Sequence, residues 1–529
     1  MKKFFILMCI FMVGYVSSYS QYYIRYTSDM ELLANGVNAG DPQYVYANCI
    51  LLNDIIDTAV TLMIGNDTHH FQGNFHGNGF KISVDIVDTA ANIGLFSEIS
   101  GGSVFNLIID GSVTGLSGSQ NVGGLAGIIT GVPFIYLDVL NCTNLAIVEG
   151  WGPSSSVGGI VGRADGSIVF TNCTNNGHIM GGNSVGGIVG TTLHSNYQPS
   201  FNLLVLRDCK NSGLILGIED VDQSYMGGIV GYSSDNNLMY ACVNIGQILG
   251  VNSSYVGGIV AYIDNGSEVY SSSNSGIVDG GSIAVGGISG YVGDDVIVKG
   301  CISTNWVDRG ASLYFGSIVG DNNGIVDSCY YDSQMSILGG INNVDVLGSA
   351  EGRSTQLMIS YNLFPLLPQI HGAWEFTNNL YPRPYSSNLI LEHPVVLLSA
   401  APIYLQNNER VNNVITNFFV ANYESWGPPP FIAQIDSPYY FQWGSYDDNF
   451  VPYLHRQHSV IGYINVPFPS PFPPTNTATI NPTGGILQQD TLVVRLDYDW
   501  LYFSNYNGFY SINYYIIFEK LVPIRVRRP

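Results

Sequence analysis

The sequence predicts an all-β protein: a right-handed parallel β-helix of about eight or more rungs, followed by an antiparallel β-sandwich-like domain. Three observations lead there. A Val-Gly-Gly-Ile-Val-Gly phrase recurs through the first two-thirds of the chain, turn dipeptides bound the strand-length pieces between its copies, and the repeat gives way near Leu389 to tyrosine, phenylalanine and proline. The phrase starts at Ile93, Val122, Val157, Val185, Met226, Val256, Val285 and Phe315, so successive starts lie 29, 35, 28, 41, 30, 29 and 30 residues apart. A near-constant period of this size is the mark of a solenoid.

One repeat gives the elements in order. Val157–Gly162 is followed by a turn at Ala164-Asp165-Gly166, an apolar run Ile168–Cys173, a second turn at Asn175-Asn176-Gly177, and Ile179. Each piece has strand length, and glycine and β-branched residues dominate where a helical repeat would need long amphipathic stretches of Ala, Leu, Glu and Lys. Rungs stack ~4.8 Å apart, so eight make a rod roughly 40 Å long. Stacking also explains recurrence at fixed places. The aliphatic after the paired glycines reads Leu95, Leu125, Ile160, Ile188, Ile229, Ile259, Ile288 and Ile318, an interior ladder.

Aligned on Asn-x-Gly, a second column reads Leu107, Cys142, Cys173, Cys209, Cys242, Ser272, Cys301, Cys329. Leu107 in that column assigns it to the core, where cysteine serves as a small apolar filler. Disulfides are the other reading. Stacked Cα atoms lie within bonding range, and Ser272 splits the column into the pairs Cys142–Cys173, Cys209–Cys242 and Cys301–Cys329, with Cys49 left over.

The flanks complete the organisation. Residues 1–20 read as a secretory signal: Lys2 and Lys3, an apolar run from Phe4 to Val13, then Ser18 and Ser20 at the cleavage positions. Residues 21–75 form an N-terminal capping region, in which Ser28-Asp29-Met30-Glu31 is a capping box opening a short helix through Val37 that closes near Gly40. That helix is expected to plug the open end of the β-helix, residues 76–349, and residues 350–388 to cap the other end. The last unit, 389–529, offers candidate strands Val395–Leu398, Val414–Val420, Tyr439–Trp443, Val460–Val466, Thr491–Asp497 and Ser511–Phe518, with Pro467–Pro482 as a long exposed loop.

Charge narrows the partners. Without Lys2 and Lys3 the chain holds 16 basic against 40 acidic residues, which excludes a nucleic-acid footprint. No run of eighteen apolar residues follows the signal, so no membrane span is expected. The chain therefore reads as secreted, extracellular or held at a cell surface.

At this point the residues resemble GLUG-repeat proteins, exported adhesin-like surface proteins named for a Gly-Leu-aliphatic-Gly motif. Ile93-Gly-Leu-Phe96 and Val122-Gly-Gly-Leu-Ala-Gly127 carry the motif. Phe71–Ile82 is similar to the family's opening strand, departing at His76 where Asp is usual, and Cys329–Asp332, Ser354–Met358 and Trp374–Phe376 match its closing segment. The resemblance covers residues 22–388. It implies fold, and no catalytic residues.

Little else in the repeats suggests chemistry. Asp294-Asp295, the paired acid, sits at a turn; Gly182-Asn-Ser-Val-Gly186 fits G-x-S-x-G but lacks the strand-to-helix elbow. His69-His70 and His455–His458 lack further ligands for zinc, and the Asp-Asn corners at Asp235 and Asp321 lack a calcium-loop spacing. No catalytic residue, cofactor or metal ligand is assigned. Candidate glycan-stacking residues are Tyr439, Tyr440, Trp443, Trp500 and Tyr502, with core filling as the structural alternative. Asn66, Asn141, Asn172, Asn252 and Asn265 are N-glycosylation acceptors by sequence, and Asn141 and Asn172, each preceding a core cysteine, are expected to point outward. The resulting expectation is a non-enzymatic surface protein, a stalk whose terminal domain binds a glycan or a host or surface protein. The competing classes are a polysaccharide lyase or hydrolase on the same scaffold and a structural coat component.

Overall fold

The computed structural model describes residues 21–131, 136–152, 155–193, 204–218, 224–250, 253–304, 307–333, 335–336, 338–358, 360–368, 374–376 and 381–384, and the backbone of eight further strands between 395 and 520. Residues 1–20, where a secretory signal is expected, lie outside the described residues.

Every strand pairing of the repeat region is parallel, and the fold is a parallel β-solenoid of about ten turns. Its first sheet has 11 strands, running from Gln21–Ile24 to Ile325–Asp327. The second and third sheets have 8 strands each, ending at Tyr314–Gly316 and Val319–Asn322, and a fourth column closes the interior. Register is kept from rung to rung: Val157 lies beside Val185, Met226 beside Val256, Val256 beside Val285. The ladder Leu95, Leu125, Ile160, Ile188, Ile229, Ile259, Ile288 and Ile318 is buried throughout, as the repeat spacing requires.

The glycine phrase is a tight fold between the second and third sheets. A Cβ on Gly186 would lie 2.0 Å from the Val189 carbonyl oxygen and 2.8 Å from the Gly231 nitrogen, so backbone packs on backbone there and no side chain fits. The second glycine answers to a different neighbour. A Cβ on Gly187 would lie 2.2 Å from the Gly228 carbonyl and 2.6 Å from Asn211 Cγ.

Asn211 belongs to a ladder of five asparagines, Asn144, Asn175, Asn211, Asn244 and Asn274, all fully buried. Each Nδ2 donates to the Oδ1 of the next asparagine at 2.8 Å, from Asn144 through to Asn274. Each also donates to the carbonyl two residues on, as Asn211 does to Gly213 at 3.1 Å, and the Gly213 N–H returns a bond to Asn211 Oδ1 at 3.2 Å. The Asn-x-Gly turn is therefore a closed hydrogen-bond ring around an amide that also links rungs. Ser303 takes the next register position and ends the ladder.

Immediately before the cysteine column lies a left-handed corner: Asn106, Asn141, Asn172, Asp208, Ala241, Ser271 and Ser328 all have φ between 43 and 55°, and Gly300 shares it at 66°. Asparagine and glycine tolerate that conformation best, which accounts for their frequency there. The cysteines that follow are buried, and all seven in the described residues are free thiols. The pairs Cys142–Cys173, Cys209–Cys242 and Cys301–Cys329 are not formed. In-register stacking points neighbouring side chains the same way, and each sulfur instead faces two carbonyls, as Cys173 Sγ does to Val139 at 3.2 Å and Thr171 at 3.7 Å.

Helix α1, Thr27–Asn38, buries Met30, Leu33, Ala34 and Val37 in the same core as Leu51, Ile55 and Ile64. Its start differs from the expected box: Asp29 accepts from the Arg25 and Tyr26 N–H groups at 2.8 and 3.1 Å, so the helix begins ahead of Ser28 and Glu31 takes no part. It ends before Gly40, which has φ +73°. At the other end Ala350–Arg353 pairs with Cys329–Asp332, and Met358, Leu363, Leu367 and Trp374 cover Ile302 and Tyr330.

The eight C-terminal strands form two four-stranded sheets. Strands at 395–398, 414–421, 461–465, 491–499 and 509–520 agree with the sequence reading, while Tyr439–Trp443 lies outside the described residues. Two features depart from it. Thr475–Thr483, inside the expected proline-rich loop, is a strand paired with Val414–Phe419 and Ile461–Asn465, because its threonines and Ile480 suit a sheet more than Pro482 opposes one. Ile403–Leu405 pairs in parallel with Phe518–Lys520, so the sheets are not wholly antiparallel.

Two outcomes check this arrangement. Replacing Asn211 by leucine is expected to destabilise the fold by about 2–4 kcal/mol despite the gain in apolarity, since amide partners on both sides lose their bonds; chemical unfolding measures it, and an unchanged midpoint contradicts it. Native protein is expected to resist thiol reagents and to expose all seven thiols of residues 21–529 on denaturation without reductant. A count of one would show three disulfides instead.

Candidate functional site

The same fold that excludes side chains at its glycines carries two register columns at its mouth. In the second sheet the column runs Ser156, Ser184, Tyr225, Tyr255, Ala284, Tyr314; in the third it runs Arg163, Thr191, Tyr232, Tyr262, Tyr291, Asp321. Early rungs fill the mouth with small hydroxyls: Ser156 Oγ and Thr191 Oγ1 are 2.8 Å apart, and Ser184 donates to the Gly190 carbonyl at 2.8 Å. Later rungs fill it with rings.

Five tyrosines make one cluster. Tyr232, Tyr262 and Tyr291 stack along the axis with centroids 5.3 and 4.4 Å apart, and Tyr225 stacks on Tyr255 at 5.5 Å. The columns meet edge to face, Tyr255 with Tyr262 at 5.2 Å and Tyr225 with Tyr262 at 5.4 Å. All five are half-buried, so the stacked cluster is partly open to solvent.

Acids and amides rim the cluster. Asn265 Nδ2 donates to Ser234 Oγ at 2.9 Å and Asp235 Oδ1 at 3.2 Å, and Asn323 Nδ2 donates to the Tyr291 hydroxyl at 3.1 Å. Burial pushes the Tyr225, Tyr232, Tyr255 and Tyr262 phenols up. After burial, the charge of Asp264 raises Tyr232, and that of Asp321 raises Tyr255. These phenols stay neutral well past neutral pH and keep both donor and acceptor capacity. Rigid tyrosines of this kind offer large amphipathic contact area at low entropic cost, the property that suits them to recognition surfaces.

The other sequence candidates have local roles. Ser184 is buried and its hydroxyl is engaged by Gly190, so G-x-S-x-G here is part of a rung. His70 Nδ1 lies 3.2 Å from Glu98, and His69 Nδ1 lies 3.1 Å from the Asn38 carbonyl. Asp294 and Asp295 are exposed at a corner where Asp295 has φ 61°. No group of three His, Cys, Asp or Glu among the described residues is placed to hold a metal ion. The amide nitrogens of Asn66, Asn141, Asn172 and Asn265 each donate to a neighbour, and Asn141 and Asn172 bond Asn106 and each other along the left-handed corner. Both are half-buried. Asn252, Tyr439, Tyr440, Trp443, Trp500 and Tyr502 lie outside the described residues.

The tyrosine cluster itself was open to sequence reading. Tyrosine recurs just before the phrase, at 225 and 255, and just after its last small residue, at 232, 262 and 291. The period alone does not say that these two positions share one mouth.

Fold and repeat together define a glycine-repeat β-solenoid. The family model "The GLUG motif" matches residues 153–180, one rung of the stack, so the β-solenoid carries that motif in at least one of its turns. No curated protein matches it. Among solved structures it is similar to one described as a "putative immunoglobulin A1 protease" from Bacteroides ovatus, at 17% identity over 70% of this chain and 93% of that one, with a TM-score of 0.38. A likeness that loose says nothing of activity. No helix among the described residues is long and apolar enough to cross a membrane.

The raised phenols give a pH expectation with a definite sign. Folded values above the ordinary value near 10 favour the native state below about pH 10, and that contribution is lost as pH rises through the folded values. The melting temperature is expected to hold from neutral pH to about 9 and then fall, with a shallower fall in Tyr262→Phe. Phenolate absorbance appearing in native protein at the ordinary tyrosine range for Tyr225, Tyr232, Tyr255 and Tyr262 contradicts it.

Proposed function

We propose that this chain is an exported, non-enzymatic, adhesin-like surface protein whose solenoid is a rigid stalk and whose tyrosine cluster is a recognition surface for a glycan or protein at the surface it meets. The observation that supports the reading most is the replacement, within one continuous register, of Ser156, Ser184 and Thr191 by Tyr225, Tyr232, Tyr255, Tyr262 and Tyr291. Earlier rungs keep the same register with Ser156, Ser184, Arg163 and Thr191 at these positions, so the backbone course does not depend on the rings. Five preorganised tyrosines bordered by carboxylates have the composition of a binding face. The acidic chain, with a net charge of −22, keeps such a repeat soluble and biases it toward cationic or neutral partners. The aromatic region from residue 389 onward is a second place for recognition, and the two would act in series along one stalk.

Full-length protein tested on glycan arrays and in pull-downs from cell-surface extracts addresses this. Tyr262→Ala removes the ring that touches the other four and is expected to weaken capture by roughly tenfold or more, the effect of losing about 1.4 kcal/mol or more at a central contact. Circular dichroism on the variant should show an unchanged solenoid. Equal capture by both proteins, or cleavage of a polysaccharide by the purified chain, sinks the reading.

A further inference from the structure

Both tyrosine columns stop at the same end of the cluster. Tyr255 is followed in register by Ala284, and Tyr291 by Asp321. Tyr291 stacks on Tyr262 through one face only, which turns its other face toward the rung of Asp321. Tyr255 stands 6.0 Å away, inclined at 71° to it. Two ring planes and a carboxylate therefore meet in one corner, with the exposed Tyr314 one rung beyond Ala284.

Asp321 is half-buried, and burial raises its carboxyl above the usual range. Register sets it directly beside Tyr291, and its charge is felt at the Tyr255 phenol. No basic side chain among the described residues pairs with it. Residues 224–327 hold nine acidic residues against Lys299 and Arg309. Both of those are engaged elsewhere: Lys299 lies 2.6 Å from Asp327, and Arg309 sits 5.4 Å over the Phe315 ring.

We propose that the corner formed by Tyr255, Tyr291 and Asp321 is a subsite for an arginine or lysine side chain presented by a basic protein partner. This rests on the reading of the tyrosine cluster as a recognition surface and names the chemistry it takes. A cation there gains from the ring faces and from a charge-assisted hydrogen bond to a partly desolvated carboxylate. A neutral sugar could stack on the rings but would cover a carboxylate without supplying its countercharge. The local acidity adds long-range attraction for a basic surface and repels an acidic one.

The test uses full-length protein and synthetic peptides of equal length, one arginine-rich, one lysine-rich and one neutral, with neutral oligosaccharides as competitors. The basic peptides are expected to bind, more weakly as salt rises. Asp321→Asn, nearly isosteric, and Tyr291→Ala should each raise Kd about tenfold, Tyr291→Phe should leave it near wild type, and Asp294→Asn, at an exposed corner, should change it by less than about twofold. Equal losses in Asp321→Asn and Asp294→Asn would mean diffuse charge attraction and overturn the subsite, as would displacement of the peptides by a neutral oligosaccharide. If Tyr262→Ala abolishes partner capture while Asp321→Asn leaves peptide binding intact, the subsite alone falls. If neither variant changes anything, both readings fall together.

Discussion

A buried amide must find its hydrogen bonds inside the protein, and the five-asparagine ladder from Asn144 to Asn274 shows how much structure that requirement can organise. Each amide is satisfied only when the next rung brings its own asparagine into register, as the 2.8 Å contacts between successive rungs record. A slip of one residue would turn that amide away from its partners and orphan them. The ladder also reaches across the interior to the glycine phrase, because the Asn211 side chain occupies the space a Cβ on Gly187 would need. The Asn-x-Gly turn and the second glycine of the Gly-Gly pair are thus one constraint read at two places in the repeat. Stacked amides perform the same service in cross-β assemblies, where identical side chains recur at the same spacing.

Function depends on this scaffold through rigidity. The tight fold made by the first glycine, as at Gly186, brings the second and third sheets face to face and leaves a narrow mouth. Whatever stands at that mouth is held in register by the ladder behind it. Where the repeat places Ser156 and Thr191 there, a hydroxyl pair closes the surface; where it places Tyr255 and Tyr262, the surface becomes aromatic with no change of backbone. A solenoid can therefore acquire a binding face by substitution at two positions per rung, at little cost to the fold.

Much of the fold was legible in the sequence. The period located the rungs, the aliphatic after the paired glycines located the core, and the cysteine column was correctly placed inside. The ladder was not, although Asn-x-Gly served to align the repeats. Asparagine is usually exposed, and a recurring asparagine beside glycine has the signature of a surface turn. Only the three-dimensional closure of that turn shows the amide facing inward. The candidate face was missed for a related reason: Tyr225 and Tyr232 are seven residues apart in sequence, on different strands of different sheets, and periodicity orders positions along the axis without saying which of them meet across a fold.

Hydrogen exchange of the side-chain amides, followed by nuclear magnetic resonance on protein isotopically labelled at asparagine, tests the amide ladder most directly. The five ladder side chains should exchange as slowly as the backbone amides of the strands around them, set apart from exposed asparagines such as Asn236 and Asn342. If all asparagine side chains exchange at the rate of freely solvated amides while the backbone stays protected, the ladder does not hold the rungs in register and the account built on it is wrong.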